Sequence, residues 1–523
     1  MSVGGAEAMS AANYKLLKEA FVTGHHGGSV WEITQVTLVA PAAVLLWTVL
    51  QARQSFFNPY TPAAYITDFL LQCGSILLVT TFYADSPVVL NGLLMLPAIA
   101  AYFNEPAAAP RKQSKPGKDS DDKDLFPEGL DPFPQKPFIT HYRGCMMIIT
   151  CICILAVDFE VFPRRFAKVE NWGTSLMDLG VGSFVFSAGV ISVRQQLKNP
   201  DAGFADFFNR MNKALRHSLP LLVMGFIRLY SVKGLDYQEH VSEYGVHWNF
   251  FFTLGLLPPV VALFQDLLRL IPSYSILGFA VAVIYQMFFT YTDLIEYIFT
   301  AARIDFLSQN REGIFSFFGY LAIFLTGQGI GQCILPRDEE LFKRPLSEED
   351  EWLSSVLAPG QEMPRSPIVD RSITLPSIIQ LVKWSAIWCI TYYFSTGYYG
   401  PRLTVSRRLA NEPYVVWVAA FNCCQLTLYC LIENFVWPRL YKSKDAASEK
   451  DKLSKATSKV LNAFNRNGLV IFLLANLLTG IINMTMDTLH MGDIAATAVI
   501  GAYIGVLAGV GLLLDHYNIS VKL

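Results

Sequence analysis

The sequence is poor in charge. Lys, Arg, Asp and Glu make up only 16% of its 523 residues, where soluble globular proteins carry about 25%. These charges stand in clusters between long apolar runs; 52% of the residues are hydrophobic and the mean hydropathy is +0.35. A set of water-soluble domains is thereby excluded. The net charge of −2 gives no global basic field, so nucleic acid is not an expected partner. A disulfide framework is also missing. Eight of the nine cysteines (Cys73, Cys151, Cys153, Cys333, Cys389, Cys423, Cys424 and Cys430) lie inside apolar runs and Cys145 lies at the edge of one. That is the setting of small buried apolar residues. The first 30 residues lack the apolar core of a cleavable signal, so the first span is expected to act as an uncleaved anchor.

Catalytic signatures are equally scarce. The sequence has no Gly-x-Ser-x-Gly elbow, no Walker A loop, no His-Glu-x-x-His and no His-x4-Asp, which leaves redox, metal and ATP-driven chemistry without support. No permanently bound cofactor is expected.

What the chain does have is long apolar segments. About thirteen stretches reach the length a bilayer demands: 33–50, 65–83, 88–102, 142–158, 174–193, 215–230, 247–265, 273–291, 315–335, 375–395, 414–434, 468–486 and 496–514. The expected fold is all-α: one polytopic membrane domain over residues 1–523, since a single-chain barrel would show short alternating segments. Hydrophilic linkers break the pattern at 104–137, 336–372 and 439–462; the last is Lys/Ser/Ala-rich and suits an amphipathic surface helix. Loops on the side of the N-terminus hold 11 Lys and Arg, against about 26 on the other side. The positive-inside rule then predicts a lumenal N-terminus, a cytosolic C-terminus and cytosolic linkers. The sequons at Asn483 and Asn518 are expected to stay unmodified, one lying in a span and the other on the cytosolic side.

Two loops on the charge-poor side are themselves densely charged. One runs from Asp158 to Gly173 and carries Arg164, Arg165, Lys168, Glu170 and Trp172; the other runs from Tyr398 to Arg408 and carries Arg402, Arg407 and Arg408. Arginines kept against the orientation trend suit either an anionic ligand such as phosphate or snorkelling at the headgroups. Asp158 ends an apolar span and Lys168 follows in the same loop. They read either as a helix-end ion pair or as a proton acceptor with an oxyanion- or phosphate-binding cation. Asp178, one turn into the next span, faces either a structural partner or a polar pocket. Asn422, Asn476 and Asn483 sit in spans, where interhelical hydrogen bonding competes with substrate contact.

The segment Arg164-Arg165-Phe166-Ala167-Lys168-Val169-Glu170, continued by Trp172-Gly173-Thr174-Ser175-Leu176-Met177-Asp178-Leu179-Gly180-Val181-Gly182-Ser183, resembles the signature of the glucosaminyl-phosphatidylinositol inositol acyltransferases. Phe21-Val22-Thr23-Gly24 with Gly27-Gly28-Ser29, Arg407-Arg408-Leu409-Ala410-Asn411, and Asn476-Leu477-Leu478-Thr479-Gly480 are similar to the same family. The resemblance implies an ER-resident enzyme of the GPI-anchor pathway. Such an enzyme moves a palmitoyl chain from acyl-CoA, as cosubstrate, to the inositol 2-hydroxyl of glucosaminyl-phosphatidylinositol among membrane lipids. It also implies Asp158 and Lys168 as the catalytic pair. Arg164, Arg165, Glu170, Trp172, Asp178, Arg402, Arg407, Arg408, Asn422, Asn476 and Asn483 are then the substrate-binding candidates. On composition alone a polytopic lipid or solute transporter, or a scramblase, is the alternative.

Overall fold

The computed structural model describes residues 17–18, 20–104, 130–198, 207–233, 241–264, 273–337, 376–438, 440–441, 443 and 445–520. The cores of the 104–137 and 336–372 linkers therefore lie outside the described residues. Among those described, the chain is helical throughout. We number the long helices α1 (Val30–Gln54), α2 (Pro62–Thr80), α3 (Pro87–Phe103), α4 (Pro137–Ala156), α5 (Leu176–Lys198), α6 (Phe207–Lys233), α7 (Phe250–Phe264), α8 (Tyr274–Tyr291), α9 (Arg311–Ile334), α10 (Ser377–Thr396), α11 (Glu412–Val436), α12 (Gly468–Thr485) and α13 (Asp493–His516).

Each predicted span falls on one of these helices. Nine of the helices among the described residues are long and apolar enough to cross a membrane; α3 and α7 are apolar but shorter. α6 and α10 lie outside both groups. The 439–462 linker is only partly an independent surface helix. Helix Ala446–Lys455 is polar and capped by Asp445, while Lys459–Arg466 buries Val460, Leu461, Ala463 and Phe464. It lies so close to α4 that a β-carbon on Gly144 would stand 2.6 Å from the Leu461 carbonyl oxygen.

α9 is the axis of the bundle. It packs on α5 through small residues, because lipid offers no hydrophobic drive for helix association and close van der Waals contact must supply it. A β-carbon on Gly189 would meet the Phe324 carbonyl oxygen at 2.2 Å, and one on Gly327 would meet that of Phe186 at the same distance. α11 fills the adjoining core with Tyr414, Trp417 and Leu426.

Successive helices run in opposite directions, which sorts the loops to two ends. At one end the Gly28 amide donates to the Thr174 carbonyl (2.8 Å), Gly173 to Val405 (2.9 Å) and Val246 to Gln309 (2.9 Å). At the other, Arg337 pairs with Glu449 (2.7 Å), and Lys136 donates to Ser377 (3.0 Å). The two charged loops thus share one end, and the residues flanking the hydrophilic linkers share the opposite one, as the charge count groups them.

The packing predicts that Gly327→Val lowers the thermal midpoint of the detergent-solubilised protein, by overpacking worth about 1–3 kcal/mol. Gly509→Val, where a β-carbon meets nothing within 4 Å, should leave it unchanged in the same melting assay.

Candidate functional site

The loop after α4 is built by its own side chains. α4 ends at Ala156 with carbonyls that lack helical partners. The amides of Val157, Asp158 and Phe159 meet three of these, and Arg164 folds back over the turn that follows: its guanidinium donates to the carbonyl oxygens of Val157 (2.8 Å) and Phe159 (2.8 Å), and through Nε to Phe162 (3.1 Å). It also stacks on Phe21 at 4.0 Å. Burial lowers its pKa to about 10. Arg165 reaches Glu32 in the first turn of α1 and Asp85 between α2 and α3. Both arginines expected to meet phosphate are therefore engaged by the protein.

Gly27 and Gly173 let the N-terminal segment lie flat on this loop. Both have positive φ (79° and 138°), and a β-carbon on Gly27 would stand 2.1 Å from the Thr174 carbonyl oxygen. The Glu170 amide donates to the His25 carbonyl at 3.2 Å. The Glu170 side chain is exposed, as is Trp172, whose ring lies 6.3 Å from that of Phe299.

Asp178 is the most enclosed carboxylate here, with no exposed surface at the head of α5. It accepts from Ser175 Oγ (2.7 Å), the Val169 amide (3.2 Å) and Arg407 Nε (2.7 Å). Arg407 also meets Glu243 (3.1 Å), and Glu243 meets Lys168 (2.7 Å). The four side chains make a continuous ionic chain from the buried Asp178 to the half-exposed Lys168. Burial works against the charge on Arg407, but Glu243 and Asp178 outweigh it and hold the guanidinium well above its ordinary pKa. A second ionic group adjoins. Glu312, fully buried in the first turn of α9, binds Arg303 and Arg408 (3.3 Å). Arg408 also donates to Asn171 at 2.7 Å.

Asp158 stands outside both groups. Asn483, reaching in from α12, donates to its Oδ2 at 2.8 Å, and Lys18 donates to the other side of the same amide at 2.7 Å. No ion pair holds Asp158 among the described residues. Burial raises its pKa above the usual carboxylate value, with Asn483, Lys18 and Arg164 pulling the other way. Asp158 and Lys168 thus have different partners. The nine residues around Arg164 and Arg165 separate them in the chain, and Glu243 takes the lysine.

The remaining candidates are scattered. Arg402 is an exposed tip residue with φ +54°, stacked on Tyr398 at 3.9 Å. Asn422 lies in the bundle interior, accepting from Tyr142 Oη at 2.6 Å beside a cavity of about 40 Å³. Asn476 faces outward from α12 and its amide returns to the Phe472 carbonyl. Asn422 and Asn476 are therefore not gathered with the charged loops; Asn483 is. Lys18, Asn171, Glu243, Arg303 and Glu312 belong to the site end and were not among the sequence candidates. No group of His, Cys, Asp and Glu suited to a metal ion occurs among the described residues.

The GWT1 family profile matches residues 14–514. The chain belongs to the GWT1 family. Its relatives named GPI-anchored wall transfer protein 1 include those of Gibberella zeae, 50% identical over 98% of this chain and 99% of the relative; Aspergillus fumigatus, 49% identical over 97% and 99%; and Saccharomyces cerevisiae, 40% identical over 97% and 99%. The likeness thus runs along the whole of this GWT1-family protein, including both charged loops.

The ionic chain predicts a coupling. Arg407→Ala should destabilise the protein by about 3–5 kcal/mol, because it strands a buried carboxylate. The double change Asp178→Asn with Arg407→Met should recover most of that loss in the same detergent melt.

Proposed function

We propose that this protein transfers a fatty acyl chain, palmitoyl by the family resemblance, from acyl-CoA to the inositol 2-hydroxyl of glucosaminyl-phosphatidylinositol on the lumenal side of the ER membrane. Membership of the GWT1 family and relatives whose name refers to GPI-anchored wall transfer support the pathway. The observation that carries the chemistry is the contrast between carboxylates. Asp178, Glu243 and Glu312 are neutralised by arginine or lysine, and a carboxylate so paired is a poor base. Asp158 is half-buried, hydrogen-bonded by an amide rather than an ion pair, and raised in pKa. That combination suits a proton acceptor working near neutral pH.

In this reading Asp158 takes the proton of the inositol hydroxyl as its oxygen bonds to the thioester carbonyl carbon. The carbon–sulfur bond then breaks, and the proton passes to the departing CoA sulfur. Transfer is direct, with no acyl-enzyme. Lys168, the accessible end of the ionic chain, binds the substrate phosphate or the developing oxyanion. Arg408, held between Asn171 and Glu312, adds positive potential beside it. Acyl-CoA is a cosubstrate, and no resident cofactor takes part.

The test uses purified protein with labelled palmitoyl-CoA and glucosaminyl-phosphatidylinositol. Wild type should give acylated product, and Asp158→Asn should reduce kcat by roughly 10²-fold or more with the melting temperature retained. Undiminished turnover by that variant would remove Asp158 as the base. A pH profile adds an independent readout. The Asn483 hydrogen bond stabilises the carboxylate and lowers its pKa. Its loss in Asn483→Ala therefore raises that pKa, and the acid limb of kcat/KM should move to higher pH.

A further inference from the structure

α6 holds five Lys and Arg and no Asp or Glu. Its first half is amphipathic. Phe208, Met211 and Leu215 recur at helical spacing on one face, and Arg210, Lys213 and His217 at the same spacing on the other. Among the described residues, α7 is the one long helix that covers α6 extensively. Gly225 packs against Phe252 and Leu222 against Gly255. The two helices therefore run antiparallel, and Lys213 comes level with Phe264, where α7 ends. Pro220 separates the halves of α6, and Pro258 and Pro259 interrupt α7 within the same turn. Each removes a backbone hydrogen bond from a helix interior. The linker-side end of α6 thus leans on one neighbour through an interrupted contact.

Depth makes its cations expensive. α6 joins the linker end to the end of the charged loops. Its exposed apolar stretch runs from Leu219 to Tyr230, about 17 Å at the helical rise, whereas the hydrocarbon layer is about 30 Å thick. The basic half must complete the crossing. That puts Lys213 and Arg216 at the linker-side edge of the hydrocarbon, where an unpaired cation is costly. Elsewhere at this end the protein supplies the counter-charge: Asp131 for Arg194 and Lys198, Glu449 for Arg337, and Asp515 for Arg466. Lys213 and Arg216 are exposed and have no partner among the described residues. Their long stems let both heads reach the level of the lipid phosphates. A phosphatidylcholine would also bring an ammonium, and α6 has no carboxylate to receive it. An anionic headgroup brings only the charge that is missing.

We propose that the linker-side half of α6 binds an anionic phospholipid, with its phosphate against Lys213 and Arg216 and its acyl chains on Phe208, Leu215 and Leu219, all three of which are exposed. The lipid braces the end of α6 that only α7 supports. Two cations facing an anionic headgroup favour it roughly thirtyfold. The proposal is independent of the acyltransferase reading, because α6 carries none of the site residues.

Two experiments test it. In the first, full-length protein is equilibrated in micelles holding equal phosphatidylglycerol and phosphatidylcholine, and the lipids it retains are counted by native mass spectrometry. Wild type is expected to retain phosphatidylglycerol in preference, and Lys213→Gln with Arg216→Gln to lose most of that preference. Lys450→Gln with Lys455→Gln, on the exposed polar helix Ala446–Lys455, should leave it unchanged. An unaltered preference in the α6 variant, or an equal fall in both variants, would overturn the proposal. In the second, wild-type protein is photolabelled with phosphatidylglycerol carrying a diazirine near the glycerol end of one acyl chain. Label between Phe208 and Leu219, displaced by plain phosphatidylglycerol and not by phosphatidylcholine, is expected. Label elsewhere, or displacement by both lipids alike, would overturn the site. This measurement needs no variant, so it decides the matter even where the substituted protein fails to fold.

Discussion

Asp178 has no exposed surface at the head of a membrane helix, and Arg407 reaches it across the bundle end at 2.7 Å. An unpaired carboxylate in so poor a solvent is costly enough that the surrounding chain must supply a cation. The cation comes from a loop more than two hundred residues away, so the pair fixes that loop against the head of α5. Glu243 extends the pair to a third segment and Lys168 to a fourth. Asn171, pinned by Ser406 and Arg408, then locks the two charged loops together. The close passage of Gly27 and Gly173 depends on that register. The ionic contacts thus set the register of the site end, and Phe159, Phe162 and Phe166 of the first charged loop anchor it in the core beneath.

This arrangement divides the charged residues by role. Arginines held to backbone carbonyls or buried carboxylates are framework: Arg164 holds the turn after α4 and Arg165 ties in α1. Asp158 is left outside that framework, tuned by an amide from α12 and by burial. A carboxylate locked to an arginine gains structure and loses basicity. Asp158 has the opposite balance, which is why the functional reading centres on it rather than on the more deeply buried Asp178.

Much of the architecture was legible in the sequence because bilayer thickness imposes a length on every span. The thirteen apolar stretches all fall on helices, and the two charged loops that the positive-charge count put on one side do meet at one end. Helix limits were less legible: the first helix starts at Val30 and runs to Gln54, past the apolar stretch at both ends, because Ser29 caps it and polar residues continue its last turn. At the site, Asp178 and Arg407 were visible as charges out of place near the membrane. Their being partners was not, since pairing over such separation leaves no local pattern. Glu243 was missed for a related reason. It lies in a one-turn helix, Val241–Tyr244, with no motif, and only the folded chain brings it between Lys168 and Arg407. Asn476 and Asn483 looked alike in sequence, but they lie seven residues apart on α12, with Asn476 facing outward and Asn483 at the site end against Asp158.

The central claim is that acyl transfer takes place at the bundle end where Asp158 stands. The most direct measurement is an electron cryomicroscopy structure of the Asp158→Asn protein with palmitoyl-CoA and glucosaminyl-phosphatidylinositol bound. The account predicts the inositol 2-hydroxyl within hydrogen-bonding reach of residue 158, with the lipid phosphate toward Lys168. An inositol ring at the opposite end, near Arg337 and Glu449, or one facing Asp178 with residue 158 beyond contact, would contradict it.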